Sequence, residues 1–194
     1  IGRGRAADVF DLGGGRVLRR YRNERAGDAT REARAMQHLR AHGVAVPEVF
    51  DASGADLVME RLTGPTMLDT IKQRPWRARA LGRQLSELQA QIHRVPLEGL
   101  DLPRRCAGEA ILHLDLHPDN VILTPGGPMI IDWSNVAVGD PLADAMYSWM
   151  VMVTSSPDGV PLANAVSPDN CQLSNSDLTT MLFIKLLARG KSQV

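Results

Sequence analysis

The chain has 194 residues, with 22 basic and 22 acidic side chains, so its formal net charge is zero. Apolar residues make up 44% and charged residues 23%, which is typical of a globular protein and not of a disordered or fibrous one. No apolar run is long enough to predict a membrane span, and overall neutrality disfavours nucleic-acid binding. The first residues lack Met and a signal-peptide core, so we interpret the start as a trimmed N-terminus.

Two further features of the composition bear on location and chemistry. The only cysteines, Cys106 and Cys171, lie far apart, which argues against a disulfide scaffold and predicts a reducing, cytoplasmic location. Residues 111–194 carry three basic and eight acidic side chains, whereas the preceding residues have a basic excess. An acidic second half of this kind is suited to a local cation site.

The first sixty residues predict a small sheet with one helix. Three successive glycines at 13–15 predict the turn of a hairpin, and Gly43 is a typical residue at the end of a helix. The predicted strands are Ala7–Leu12, Arg16–Arg22, Glu48–Asp51 and Asp56–Glu60, and the predicted helix runs from Asp28 to about Ala41.

Beyond the Thr63-Gly64-Pro65 segment the pattern becomes mainly helical. An apolar stripe at spacings of three and four residues predicts a helix over 78–92, which Pro96 terminates. Short strands are predicted at Ile111–Leu116, Val121–Leu123 and Pro128–Ile131. Asp140 and Pro141 open another helix that reaches about Val153. Residues 154–175 show no regular pattern, and a last helix is predicted over 177–189.

Three polar residues form the most informative pattern in the chain. Asp115 lies in HLDLHPDN, Asn120 follows five residues later, and Asp132 comes at the end of the strand IIDW. Phosphoryl transfer needs a carboxylate that orients or deprotonates the attacking hydroxyl, together with oxygen ligands for Mg²⁺ on the nucleotide phosphates. Asp115 is therefore the candidate catalytic residue, and Asn120 and Asp132 are the candidate metal ligands.

These segments, HLDLHPDNVIL and IIDWSNVAVGDPLADA, resemble the aminoglycoside phosphotransferase and choline kinase-like family, which is related to protein kinases. The resemblance implies an α+β, bilobal, protein-kinase-like fold that uses ATP and Mg²⁺. A nucleotide-binding lobe would cover residues 1–62 and end in a hinge, and a helical lobe would cover 63–194. The resemblance also implies that His113 is structural, and that Asp140 and Asp144 brace the catalytic loop.

The front half is similar to the family in its nucleotide-binding parts. Glycines before the first hairpin strand resemble the loop that covers the nucleotide. A basic residue on the second strand and an acidic residue on the first helix resemble the pair that holds the phosphates. The segment 59–62 resembles the hinge that contacts adenine. The implied nucleotide-binding residues are Gly2, Gly4, Arg19, Glu32, Glu60 and Leu62.

The chain departs from the family pattern in two respects. Arg19 stands where the family often has Lys, and arginine binds phosphate as a planar fork and not as a point charge. Only about fifty residues separate the hinge from Asp115, so the chain is short for this fold. The acceptor site is therefore reduced, or supplied by residues 154–175, or partly absent from this sequence.

We interpret the chain as a small-molecule kinase that transfers the γ-phosphoryl group of ATP to a hydroxyl, without a nucleic-acid or membrane partner. The alternative is a nucleotide-binding pseudoenzyme or regulatory module, which Arg19 and the short acceptor region favour. Protein kinase activity is disfavoured because only seven residues separate Asp132 from Asp140. A metallohydrolase would use His113, Asp115 and His117 on one strand face, but no further His-rich partner follows them.

Overall fold

The structure, a computed structural model, describes residues 2–3, 7–22 and 29–154. The predictions for Gly4, for the helix cap at Asp28, for Cys171, for the segment 155–175 and for the helix over 177–189 lie outside these residues. Within the described part of the chain, a five-stranded sheet with one helix precedes a mainly helical region, as the composition predicts.

The sheet consists of strands β1 (Gly2–Arg3), β2 (Ala7–Gly13), β3 (Arg16–Tyr21), β4 (Val49–Ser53) and β5 (Asp56–Glu60). It is antiparallel, with strand order β1-β2-β3-β5-β4. Four of its strands were predicted to within about two residues, and the glycine turn joins the two strands of the predicted hairpin. The fifth, β1, is a two-residue strand that pairs with β2.

One face of β3 is buried, and helix α1 (Ala29–Ala41) lies in the same core cluster. Because side chains alternate along a strand, Val17, Arg19 and Tyr21 share the buried face, whereas Arg16 and Arg20 are exposed. The alternation therefore turns Arg19 inward and leaves the other two arginines of the strand, Arg16 and Arg20, in solvent.

The helices after the sheet are α2 (Met67–Gln73), α3 (Ala78–His93) and α4 (Pro141–Thr154). The predicted apolar stripe is confirmed, because Leu81, Leu85, Leu88 and Ile92 are all buried. Helix α2, which no apolar stripe marked, begins after Thr66, whose side-chain oxygen accepts a hydrogen bond from the Asp69 amide at 3.0 Å. No helix in the described part is long and apolar enough to cross a membrane.

Two short hairpin-like sheets complete the helical region. Strand β6 (Ala110–Leu112) pairs with β9 (Ala137–Gly139), and β7 (Val121–Thr124) pairs with β8 (Gly127–Ile130). The predicted strand over 111–116 is wrong beyond Leu112, because Leu114 has a φ of 58° and the chain turns there. The single strand face that a metallohydrolase would have needed is therefore not formed.

The segment that follows the hinge packs directly on β7. The Leu123 amide donates to the Pro65 carbonyl at 2.9 Å, and Thr66 forms an isolated bridge with Ile122. Gly64 has a φ of +150°, and a Cβ atom there would lie 2.2 Å from the Leu123 carbonyl oxygen. The close approach of these two backbones therefore requires glycine at this position.

We expect Gly64→Ala to lower the free energy of unfolding by about 1–3 kcal/mol, because the methyl group forces the Leu123 backbone away. Chemical denaturation of the variant and the parent chain measures this difference. Gly126→Ala is the matched control, since a Cβ there would meet only the Thr124 hydroxyl at an ordinary 3.7 Å. Equal destabilisation by both substitutions would contradict the steric explanation.

Candidate active site

The loop after β6 is held by a buried carboxylate of α4. The Leu114 amide donates to Asp144 Oδ1 at 2.6 Å, and His93 Nε2 lies 2.8 Å from Asp144 Oδ2. Burial opposes ionisation of Asp144, but the interactions with His93 and Leu114 outweigh it and hold the pKa of this carboxyl below its ordinary value. Asp144 therefore braces the backbone immediately before Asp115, as the resemblance implies.

His113 fixes the same loop from the other side. Its fully buried ring packs on Trp133, with 4.5 Å between ring centroids, and Nε2 donates to the Ile131 carbonyl at 3.0 Å. Burial lowers the pKa of His113, which favours the neutral ring. His113 therefore connects the catalytic loop to the strand end that precedes Asp132, which is a structural role.

Asp115 and Asn120 are brought into direct contact. The side-chain nitrogen Nδ2 of Asn120 donates to the backbone carbonyl of Asp115 at 2.9 Å and lies 3.3 Å from Asp115 Oδ2. His117 caps the short turn that carries Asn120, because its Nδ1 accepts from the Asp119 amide at 3.3 Å. Since the side-chain nitrogen Nδ2 of Asn120 is engaged by the loop, its side-chain oxygen Oδ1 is the atom that remains to bind a cation.

Asp132 joins this group through the β7–β8 hairpin. The Ile131 amide donates to the backbone carbonyl of Asn120 at 3.0 Å, so Asn120 and Asp132 lie at the same end of the two strands. Asp132 has a left-handed backbone, with φ of 63°. Its Oδ1 atom accepts hydrogen bonds from Arg19 Nη2 at 2.5 Å and from the Ser134 hydroxyl at 2.8 Å.

The predicted pair of Arg19 and Glu32 is present, and its environment contains a residue that the sequence did not single out. Arg19 Nη1 lies 3.1 Å from Glu32 Oε1, which also accepts from the Trp133 amide at 3.1 Å. The Tyr21 hydroxyl donates to Glu32 Oε2, and the Arg19 guanidinium lies 5.1 Å from the Tyr21 ring centroid. The only available signal for Tyr21 was its position two residues after Arg19, on the same strand face.

The charges in this group are coupled. Burial lowers the pKa of Arg19, but the carboxylates of Glu32 and Asp132 outweigh it and raise that pKa above its ordinary value. Burial raises the pKa of Glu32, against the opposing effect of Arg19. Burial would also raise the pKa of Asp132, but the charge and hydrogen bond of Arg19 outweigh it and the net shift is downward. Asp132 is thus ionised at neutral pH.

At the hinge, the backbone amides are unequally available. The Glu60 amide donates to the Glu48 carbonyl and the Arg61 amide to the Gly15 carbonyl, both at 2.8 Å. The Leu62 amide makes no hydrogen bond with the described residues. Gly2, which was predicted to belong to the loop that covers the nucleotide, lies in strand β1 and pairs with Val9.

The donor set fits Mg²⁺, which prefers carboxylate and carbonyl oxygen. Asn120 offers its side-chain oxygen Oδ1, and Asp132 offers an ionised carboxylate. Across the described ranges, no group of three or more His, Cys, Asp or Glu side chains could hold a metal. A cation held by Asn120 and Asp132 would therefore need further oxygens, such as those of nucleotide phosphates.

A small sheet lobe, a helical region and this set of residues between them define the class: the fold is protein-kinase-like, as the sequence predicts. The chain matches the model of the phosphotransferase enzyme family (APH) over residues 1–110 and 107–167. This protein belongs to that family. No curated protein sequence matches the chain significantly.

Solved structures share the fold at low sequence identity. The streptomycin–ATP ternary complex of APH(2")-IIa is 14% identical, with a TM-score of 0.58 over 75% of this chain and 68% of that chain. A thermostable mutant of aminoglycoside phosphotransferase APH(4)-Ia with ADP and hygromycin B is 16% identical, with a TM-score of 0.60 over 100% and 77%. A choline/ethanolamine kinase family protein from Mesorhizobium loti is 17% identical, with a TM-score of 0.53 over 98% and 87%.

We expect the stability contributed by the Asp144 carboxylate to depend on pH. Its pKa is lower in the folded chain than in the unfolded chain, so this stability is present above the unfolded value of about 4. It is lost as the pH falls through the folded value. Asp144→Asn should lower stability at pH 7 by about 1–3 kcal/mol and should weaken the loss of stability on acidification below pH 4.

Urea denaturation at several pH values measures both effects. Asp101→Asn is the control, because Asp101 is exposed and has no assigned role. The same pH dependence in the Asp144 variant and in the parent chain would refute the assignment of this acid-sensitive stability to Asp144.

Proposed function

We propose that this chain is an ATP- and Mg²⁺-dependent phosphotransferase that moves the γ-phosphoryl group to a hydroxyl of a small molecule. The observation that carries the proposal is the contact of Asn120 with Asp115, next to Asp132, Arg19 and Glu32. A catalytic carboxylate, two cation ligands and a phosphate-binding cation thus lie in one connected group. Membership of the phosphotransferase family supports the same reaction class.

When bound, ATP with Mg²⁺ would supply the phosphoryl group and offset its negative charge. Asp115 accepts the proton of the acceptor hydroxyl as that oxygen forms a bond to phosphorus and ADP departs. Its side chain is 28% exposed, so an acceptor can reach it. Asn120 and Asp132 would hold the cation through their side-chain oxygens. Catalysis by such a site consists mainly of positioning and electrostatic stabilisation.

The nucleotide lies against the first lobe, residues 1–62, in this proposal. Arg19 steadies the phosphates from its place between Glu32 and Asp132. The Leu62 amide, which no described residue uses, donates to adenine, and Glu60 contributes through its carbonyl because its amide is already engaged. Gly2, in β1, would border the loop over the phosphates, and the same role is expected of Gly4, which lies outside the described residues.

The acceptor is a hydroxyl-bearing small molecule, bound by the second lobe, residues 63–194. Two of the similar structures contain streptomycin or hygromycin B, which supports a small-molecule acceptor as a class. A peptide acceptor is disfavoured because the residues between Asp132 and Asp140 form a short turn and β9, with no room for a peptide-docking segment. We place the reaction in the cytoplasm, where ATP is abundant.

We expect Asp115→Asn to lower kcat by about 10²–10⁴-fold, because the amide cannot accept the hydroxyl proton. A phosphorylation assay over a panel of amino sugars, amino alcohols and sugars, coupled to ADP release, measures this. Asp119→Asn is the matched control, since this carboxylate contacts the Thr66 hydroxyl at 3.2 Å and takes no part in the reaction. Full turnover by the Asp115 variant on an accepted substrate would overturn the proposal.

Binding without turnover would indicate the alternative, a nucleotide-binding regulatory module. We expect ATP with Mg²⁺ to raise Tm, because a ligand at 100 times its Kd stabilises the folded state by about 2.7 kcal/mol. Thermal-shift titrations with and without Mg²⁺ measure this. A Tm that ATP leaves unchanged in both series would contradict both functions.

A further inference from the structure

One oxygen of Asp132 already has both of its acceptor positions filled by protein groups. Oδ1 accepts from Arg19 Nη2 at 2.5 Å and from the Ser134 hydroxyl at 2.8 Å. Each carboxylate oxygen offers two lone pairs, so Oδ1 has no position left for a cation. No donor among the described residues bonds Oδ2, and the side chain is 35% exposed. A cation can therefore approach Asp132 at Oδ2 alone.

Arg19 is held in this position from its other side as well. Its second terminal nitrogen, Nη1, pairs with the buried Glu32 carboxylate at 3.1 Å, and its guanidinium lies over the Tyr21 ring. A lysine has one charged nitrogen and could not contact Glu32 and Asp132 through separate atoms. The contact through two separate nitrogens, which holds Oδ1 while Glu32 is also bound, is therefore specific to arginine. Arginine at this position is where the chain departs from the pattern of the family it resembles.

We propose that Arg19 and Ser134 determine the selectivity of the cation site, because by occupying Oδ1 they restrict Asp132 to coordination through one oxygen. This inference rests on the proposed function, which supplies the cation and the nucleotide. Mg²⁺ is small, octahedral and commonly bound through single oxygens and water, whereas Ca²⁺ takes six to eight oxygens and often both oxygens of one carboxylate. The restriction favours Mg²⁺ over Ca²⁺.

The test measures binding and not turnover. The Kd of the non-hydrolysable analogue AMP-PNP is determined by isothermal titration calorimetry at saturating Mg²⁺ and at saturating Ca²⁺. The ratio of the two Kd values is the selectivity. Ser134→Ala opens one position on Oδ1, and Arg19→Lys removes the bridge. Arg20→Lys is the matched control, because Arg20 lies on the exposed face of β3 and pairs with Asp56.

We expect the parent chain and Arg20→Lys to bind the analogue more tightly with Mg²⁺ than with Ca²⁺. Ser134→Ala and Arg19→Lys should reduce that preference at least about fivefold, mainly through tighter binding with Ca²⁺. Ser134→Ala decides the question alone if Arg19→Lys does not fold.

Two results would overturn the inference while the proposed function stands. One is an unchanged preference in Ser134→Ala. The other is an Arg19→Lys variant that loses affinity equally with both cations, which would mean that Arg19 acts on phosphates only. Failure of the parent chain to bind AMP-PNP with either cation would instead remove the proposed function, and this inference with it.

Discussion

The structure depends first on one guanidinium group that two carboxylates share. Arg19 lies on an inward strand face, Glu32 on the helix packed beneath it, and Asp132 more than a hundred residues later in the helical region. A buried charge without a partner costs several kcal/mol, so Arg19 and Glu32 are tolerated in the core because they are paired, and Asp132 gives Arg19 a second partner from the helical region. Buried ion pairs add little net stability, but they exclude arrangements in which a partner is missing. Here the pair of Arg19 and Asp132 links the sheet lobe to the helical region.

A second regularity links backbone strain to the candidate functional carboxylates. The two non-glycine residues with positive φ in the described chain are Leu114, immediately before Asp115, and Asp132 itself. A left-handed backbone at such residues costs about 1–3 kcal/mol. In each case a buried carboxylate accepts a neighbouring amide: Asp144 from Leu114, and Glu32 from Trp133. Charge-assisted hydrogen bonds are strong enough to offset the strain, which explains how both turns persist without glycine.

The sequence predicted what is local and missed what is made by distant contacts. Alternation and apolar spacing placed β2, β3, α1 and α3, because each pattern depends on one element alone. The end of β6 at Leu112 was missed, because the turn there is imposed by Asp144, thirty residues away. Tyr21 was missed for the same reason: nothing in a strand pattern marks a hydroxyl whose partner lies on a helix. The candidate site residues were suggested by motif spacing, but their hydrogen bonds required the fold.

The candidate hinge and the candidate catalytic loop are linked by more than the overall fold. Two residues after Leu62 the chain reaches Gly64, whose backbone lies against Leu123, and Leu123 is three residues from Asn120. The path from the Leu62 amide, which no described residue engages, to the candidate cation ligand thus crosses one tight backbone contact and one short strand. A ligand with a planar base at one end and phosphates at the other must match the distance that this path sets. Because the contact is between two backbones, no change of side-chain rotamer alters it, and this favours a fixed spacing between the two segments.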